Sequence, residues 1–226
     1  METARTGPTH AAQRDTDVET PPRPPHNARA AGEQAARTPG QRAGLTREAV
    51  LATAHELLTE RGLDGLSMRE LARRLGVAPN AIYSHVAGKT ALVDDLLDEV
   101  LAAVETPDAE TNDPTSGLTR IMTSTYRVLL DHPDLVPLYL ARQGARGPNA
   151  QALGEVMFAQ LAQAGITGSA AHEARRVLIV YTIGFAALAT PTASDASDDR
   201  PLSSAELFGN FTAGLAWLLN GIMSDA

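Results

Sequence analysis

Residues 67–92 carry the pattern that most restricts what this chain can become. Ser67 and Glu70 have capping-box spacing, which starts a helix at Met68. Met68, Leu71, Ala72 and Leu75 fall at i, i+3, i+4 and i+7, one stripe of a 3.6-residue period, and Arg69, Arg73 and Arg74 take the opposite face. Gly76 breaks the helix, and Pro79 opens a second, very short one, a position where proline is tolerated. Ile82 and Val86 are available for packing; Asn80, Ala81, Tyr83, Ser84 and His85 point elsewhere. Two short helices on a tight glycine turn make a helix-turn-helix, whose second helix can enter a DNA major groove. Small residues at its front, Ala78 and Ala81, let the backbone approach base edges. Asn80 suits an adenine edge and the Ala81 methyl a thymine methyl. Tyr83, His85 and Lys89 offer donors to flanking phosphates. An ordinary helical hairpin satisfies the glycine turn alone, but not the whole pattern.

The run Leu-Ala-Arg-Arg-Leu-Gly-Val-Ala, then Ile-Tyr-Ser-His-Val, then Gly-Lys-Thr-Ala-Leu resembles the DNA-binding domain of TetR-family transcriptional regulators, over residues 45–104. In that family the Tyr and His end the recognition helix and the Lys opens the next. The resemblance therefore implies DNA contact by Ser67, Arg69, Ala78, Pro79, Asn80, Ala81, Tyr83, Ser84, His85 and Lys89. Ser84 stands where a second aromatic is usual, which bears on base preference, and Val86 stands where Phe is commonest.

The formal net charge of −8 at first opposes DNA binding, since phosphate contact needs cations. Position answers this. Residues 67–89 hold Arg69, Arg73, Arg74 and Lys89 against Glu70 alone, while much of the acid lies at Asp94, Asp95, Asp98, Glu99 and Asp195 to Asp199. A chain without cysteine has no disulfide, thiol chemistry or cysteine zinc site, and suits a reducing compartment. Its start lacks an apolar signal core, and its longest apolar run, 177–189, is too short for a bilayer. The expectation is a soluble, cytoplasmic protein with no membrane contact.

Residues 1–44, with Pro-Pro-Arg-Pro-Pro at 21–25 and no apolar stripe, read as a disordered extension. Arg37 and Arg42 are its best-placed residues for a DNA arm. Thr46 caps a first helix with Val50, Ala54, Leu57 and Leu58 inward, ended by Gly62; His55 on it reads as a surface residue. After Lys89, a longer helix buries Leu92, Val93, Leu96, Leu97, Val100, Leu101 and Val104, with four carboxylates opposite. The polar stretch 106–114 is the expected boundary between a 45–104 DNA-binding domain and a 105–226 helical domain. In the latter, helices are expected from Asp113-Pro114 to His132-Pro133, from Asp134 to about Gln143, over 148–164, from Ser169 to about Ala189, and from a Ser203/Glu206 cap onward. No strand signal appears, so the fold class is all-α: a three-helix N-terminal helix-turn-helix domain and a C-terminal helical ligand-binding and dimerisation domain.

The helix at 177–189 is apolar all round and must be covered on every side. The last helix carries Gly209, Ala213, Gly214 and Ala216. Core burial and a helix-pair interface both satisfy that pattern. One short recognition helix gains specificity from a second half-site, which favours a homodimer over 170–189 and 204–223 on a near-palindromic operator. The family resemblance implies the same. Met122, Tyr126, Tyr139, Met157, Phe158, Tyr181 and Phe185 are the candidate walls of a cavity for a small, largely apolar effector; plain core is the competing role for each. Release of DNA by that effector, and repression as the outcome, are implied by the resemblance alone. The six histidines show no i, i+4 pair, and phosphate-loop, nucleophile-elbow and HExxH patterns are missing. His132 and His172 sit beside acids, but at expected helix ends, so the reading includes no enzyme, metal or cofactor. A protein-interaction module that keeps the fold without reading an operator is the alternative function.

Overall fold

Glycine, proline and short polar caps cut the chain into nine α-helices and one 3-10 turn among the described residues, which are 44–108, 113–190 and 202–224 of this computed structural model. The N-terminal extension with Arg37 and Arg42, and the acidic stretch Asp195 to Asp199, lie outside them. The helices are α1 (Arg47–Gly65), α2 (Met68–Leu75), α3 (Pro79–Ile82), α4 (Lys89–Glu99), α5 (Pro114–Asp131), α6 (Val136–Arg142), α7 (Pro148–Gln163), α8 (Gly168–Ala189) and α9 (Ser204–Ser224). No strand occurs among the described residues, and none of their helices is long and apolar enough to cross a membrane.

The caps follow the chemistry of the sequence. Thr46 accepts a hydrogen bond from the Ala49 amide at 3.2 Å, Ser67 from Glu70 at 3.1 Å, and Asp113 from Thr115 at 3.1 Å. Ser203 and Glu206 close a full capping box. At Ser67 the box is half formed, because the Glu70 side chain turns to Arg73 and Arg61 instead. Gly76 ends α2 at φ 67°, where an L side chain is strained, and the Val77 amide reaches back to Ala72 O at 3.0 Å. Gly62 interrupts the first helical run of α1, as its sequence position leads one to expect. It kinks the helix at φ 66°, ψ −175°, and a further turn runs to Gly65.

One local change and two tertiary contacts redraw the expected element boundaries and faces. First, α4 tightens into a 3-10 turn at Val100–Ala103 and the chain is extended by Val104. Second, Asp98 is not on a solvated acidic face. It is 5% exposed, and its carboxylate accepts from the amides of Asn149 (3.1 Å) and Ala150 (2.8 Å), capping α7 from outside. Gly147, just before α7, is where a Cβ would collide with that carboxylate. Third, α6 begins at Val136 because Asp134 is drawn to α1, taking the Thr59 hydroxyl at 3.0 Å and lying 3.3 Å from His55 Nε2. His55 is thus a half-buried contact between α1 and the turn before α6, not a free surface residue.

The core runs without a break from α1 to α9. α5 packs on α7, α8 and α9, and α8 also packs on α6 and α7. α4 is gripped by α6 and α7: the Tyr139 hydroxyl donates to Leu97 O, Arg142 pairs with Asp94, and Asp98 caps α7. From Gly44 onward the described residues pack as one compact unit.

The protomer itself covers only part of its last two helices. α8 is not covered on every side: Val180 and Leu188 are 64% and 65% exposed, with Gly184 between them one helical turn from each. Gly214 of α9 faces its own chain, where a Cβ would collide with the Tyr181 hydroxyl, so it belongs to the α8–α9 contact inside one protomer. Ala213 is exposed instead, as is Trp217 at 76%. Tyr126, Tyr181, Phe185, Phe208 and Phe211 make an aromatic cluster between α5, α8 and α9, with Tyr126 stacked on Phe211 at 4.4 Å. The Tyr126 hydroxyl is buried with no hydrogen-bond partner among the described residues. Since an unpaired buried hydroxyl costs about 1–3 kcal/mol, Tyr126→Phe is expected to hold or raise the melting temperature; a clear fall would show that the hydroxyl is bonded.

Candidate functional site

The front of the molecule is a four-residue helix with one buried anchor. Ile82 of α3 is fully buried against the α1–α2 core and Val86 nearly so, which turns the other residues of the turn outward. Ala78, Pro79 and Asn80 are exposed, Ala81 is half-buried and Tyr83 is 52% exposed. The second helix ends at Ile82, so Tyr83, Ser84 and His85 lie in a turn rather than on a helix. Ser84 Oγ donates to Ala81 O at 2.7 Å, which holds that hydroxyl against its own backbone. His85 is half-buried. Ser67 is committed to capping α2.

The basic face is smaller than its formal charge. Arg73 forms two hydrogen bonds to Glu70 at 2.8 and 2.6 Å, Arg61 adds a third at 3.0 Å, and Arg74 pairs with Glu60. The Arg73 hydrogen bonds hold the Glu70 carboxyl down at about 2. Arg69 remains exposed, and no carboxylate among the described residues pairs with it. Lys89 donates to Leu63 O at 2.7 Å, bridging the first turn of α4 to the kinked end of α1. That contact uses one of the three ammonium donors. α4 itself starts without a side-chain cap, leaving the positive end of its dipole for an anion. Residues 78–89 therefore expose a small-residue reading edge, a phenol and a lysine at an uncapped helix start.

Behind it lies a cavity of about 130 Å³ whose walls include Leu101, Ile121, Met122, Thr125, Leu129, Tyr139, Gln143, Leu153, Met157, Arg175, Ile179 and Thr182. It sits under the connector, since Leu101 belongs to the 3-10 turn after α4 and Tyr139 is bonded to Leu97 O. Burial, and the charge of Asp98 beside it, raise the Tyr139 phenol above its usual range. Outward, a wider cleft of about 630 Å³ continues past Tyr139, Gln143, Arg175, Ile179 and Ile183.

Of the seven residues expected to form such a cavity, Met122, Tyr139 and Met157 line it. Tyr126, Tyr181 and Phe185 belong to the aromatic cluster beside α9 instead, and Tyr181 donates to Phe211 O at 2.9 Å. Phe158 lies outside, edge-on to the His172 ring at 4.8 Å. The polar walls Thr125, Gln143, Arg175 and Thr182 went unsuspected. One signal existed: Arg175, Ile179, Thr182 and Ile183 share a helical stripe in which two polar residues interrupt an apolar run.

The profile described as "Bacterial regulatory proteins, tetR family" matches residues 50–96, and "Tetracyclin repressor-like, C-terminal domain" matches 106–207. An HTH-type transcriptional regulator of Saccharopolyspora erythraea is 36% identical over 140 residues, 62% of this chain and 59% of the relative. The Escherichia coli tetracycline repressor protein class C is 34% identical over 142 residues, 62% of this chain and 64% of the relative. The chain thus spans about three fifths of the length of these curated relatives. A crystal structure of a TetR variant from Acinetobacter baumannii in complex with minocycline superposes with TM-score 0.65 at 28% identity, covering 78% of this chain and 96% of that one. With one profile on the helix-turn-helix and the other on the helices around the cavity, the chain belongs to the tetR family of bacterial regulatory proteins.

Proposed function

We propose that this protein is a dimeric, sequence-specific DNA-binding repressor that leaves its operator when a small, largely apolar molecule fills the cavity under α4. The observation that carries the DNA reading is the Pro79–Tyr83 edge, held outward by buried Ile82. In this reading Asn80 and Ala81 meet base edges, and Ser67, Arg69, Ala78, Pro79, Tyr83, Ser84 and His85 border the contact. Lys89 and the start of α4 take phosphate. Residues 45–104 do the reading, 105–226 hold the effector and the dimer, and 1–44 flank the reader. Family membership and the minocycline complex of a relative support the effector role.

Coupling runs through the grip on α4. A ligand that displaces Tyr139 or Leu101 acts on the helix whose first residue is Lys89. Release requires that the ligand favour the DNA-incompetent arrangement; tight binding to both arrangements shifts nothing. About a hundredfold preference, near 2.7 kcal/mol, is enough for regulation.

The ion-paired state of Arg73 and Arg74 favours the alternative of a protein-interaction module. Fluorescence anisotropy with duplexes from the protein's own upstream region separates the two. Asn80→Ala is expected to relax preference at one base pair by about 1–3 kcal/mol, and Lys89→Ala to weaken all sequences alike and flatten the salt slope by about one unit. Because Lys89 also holds Leu63 O, its variant should in addition melt slightly lower. Parent-like binding by both variants would remove α3 from the account.

A further inference from the structure

The cavity has one charged wall. Arg175 lines both the enclosed space and the outer cleft, and it is the charged group among the residues around the enclosed part. No carboxylate among the described residues pairs with it. Its neighbour Arg176 shows the contrast: Glu173 takes that guanidinium at 2.6 Å and leaves Arg175 alone. The Arg175 guanidinium lies 5.0 Å over the Phe158 ring, against Gly154, where a Cβ would come within 3.0 Å of Nη1 and 3.3 Å of Cζ. A glycine in α7 and an aromatic face therefore form a bed that sets the direction of a half-buried cation.

The other polar walls have spent their donors. The hydroxyls of Thr125 and Thr182 donate to Ile121 O and Leu178 O at 2.8 and 2.9 Å, and that of Tyr139 donates to Leu97 O. Side-chain donors remaining for a ligand are the Arg175 guanidinium and the Gln143 amide, both shared with the outer cleft, while Ile121, Met122, Leu153 and Met157 make the rest of the wall apolar. A cationic ligand meets repulsion from Arg175. A neutral one leaves the guanidinium without a partner as the ligand displaces water from the cavity.

From this arrangement we infer that the effector is an amphipathic monoanion, an aryl or alkyl carboxylate, with its apolar body under α4 and its carboxylate on Arg175. The inference rests on the effector reading above and adds a chemical class to it. Planar guanidinium and carboxylate match in two parallel hydrogen bonds, which are stronger where water is thinned.

Isothermal titration of the full-length protein with octanoate, 4-phenylbutyrate and 2-naphthoate, each beside its primary amide, tests it. At least one carboxylate should bind roughly tenfold or more tighter than its amide, the difference expected of a charge-assisted pair. Arg175→Gln should erase that difference, acid and amide then binding alike whatever their common affinity, and Arg175→Lys should keep part of it. Equal affinities for acid and amide, a preference that survives in Arg175→Gln, or no carboxylate binding up to about 1 mM would each overturn the proposal. The operator titration separates the two readings. If a neutral or cationic compound releases DNA and the carboxylates do not, the chemical class is wrong and the effector reading stands. If carboxylates bind through Arg175 without changing DNA affinity, the site stands and its regulatory role falls.

Discussion

Trp217→Glu is expected to convert the protein to a folded monomer at micromolar concentration, its melting temperature falling only by the stabilisation that dimerisation had added. Trp217 is 76% exposed in the protomer, and Val180 and Leu188 of α8 are similarly bare, so three large apolar side chains on the last two helices await cover. Large exposed apolar patches mark interaction surfaces, and tryptophans at interface centres often contribute 2 kcal/mol or more. A glutamate there removes that contribution and buries a charge without a partner, at a cost of several kcal/mol. Dimer dissociation should strengthen by roughly a thousandfold, read by sedimentation velocity. Operator affinity should fall with it, because each monomer holds one half-site. Ala213→Glu, also exposed, should act in the same direction. Gly214→Glu is the wrong variant for this purpose: its side chain meets Tyr181 of the same protomer and should lower the melting temperature first. A Trp217→Glu protein that still sediments as a dimer would move the interface elsewhere.

Asp98→Ala is expected to destabilise the fold by about 2–4 kcal/mol, which for a chain of this size is a fall of roughly 5–15 °C in melting temperature. The reason is local. Two α7 amides, at Asn149 and Ala150, lose a buried charged acceptor, and Asn149 Nδ2, which donates to Asp98 O at 3.0 Å, is left on a loosened contact. Asp98→Asn keeps an acceptor and should fall between. Since this is the tie between the connector helix and the ligand-binding helices, the same variants should reduce the effect of a bound effector on DNA affinity more than they reduce effector affinity. Thermal unfolding unchanged in both variants would mean that α7 does not depend on α4.

These two sites mark where the residues alone sufficed and where they did not. Caps are local chemistry, so Thr46, Ser67, Asp113 and the Ser203/Glu206 pair were legible from spacing, as were the glycine turn at Gly76 and the buried Ile82 and Val86. Asp98 was not. Periodicity places it on a polar face of α4, and only the arrival of the α7 N-terminus, about fifty residues later, turns that face into an interior. Gly214 misled in the same way: a small residue on a helix signals close approach, but not whether the approaching group is Tyr181 of its own chain or a second protomer. Among the cavity walls, Met122, Tyr139 and Met157 followed from their type. Tyr126, Tyr181 and Phe185 are equally large and apolar, and were drawn instead to Phe211, a packing choice no single helix records. Arg175 shares a stripe with Ile179, Thr182 and Ile183, but an arginine on a helix is more often solvated than a cavity wall, so the stripe alone does not single it out.

The reading edge at Pro79–Tyr83 is the centre of the account, and selection from random-sequence duplex DNA tests it most directly. Full-length protein should enrich a near-palindrome with half-sites about one helical turn, roughly 34 Å, or a multiple apart. Affinity for the enriched site should exceed that for unselected DNA by about a thousandfold or more at physiological salt. Asn80→Ala carried through the same selection should lose preference at one position in each half-site. Enrichment of no sequence, with binding that salt abolishes equally for every duplex, would contradict the account.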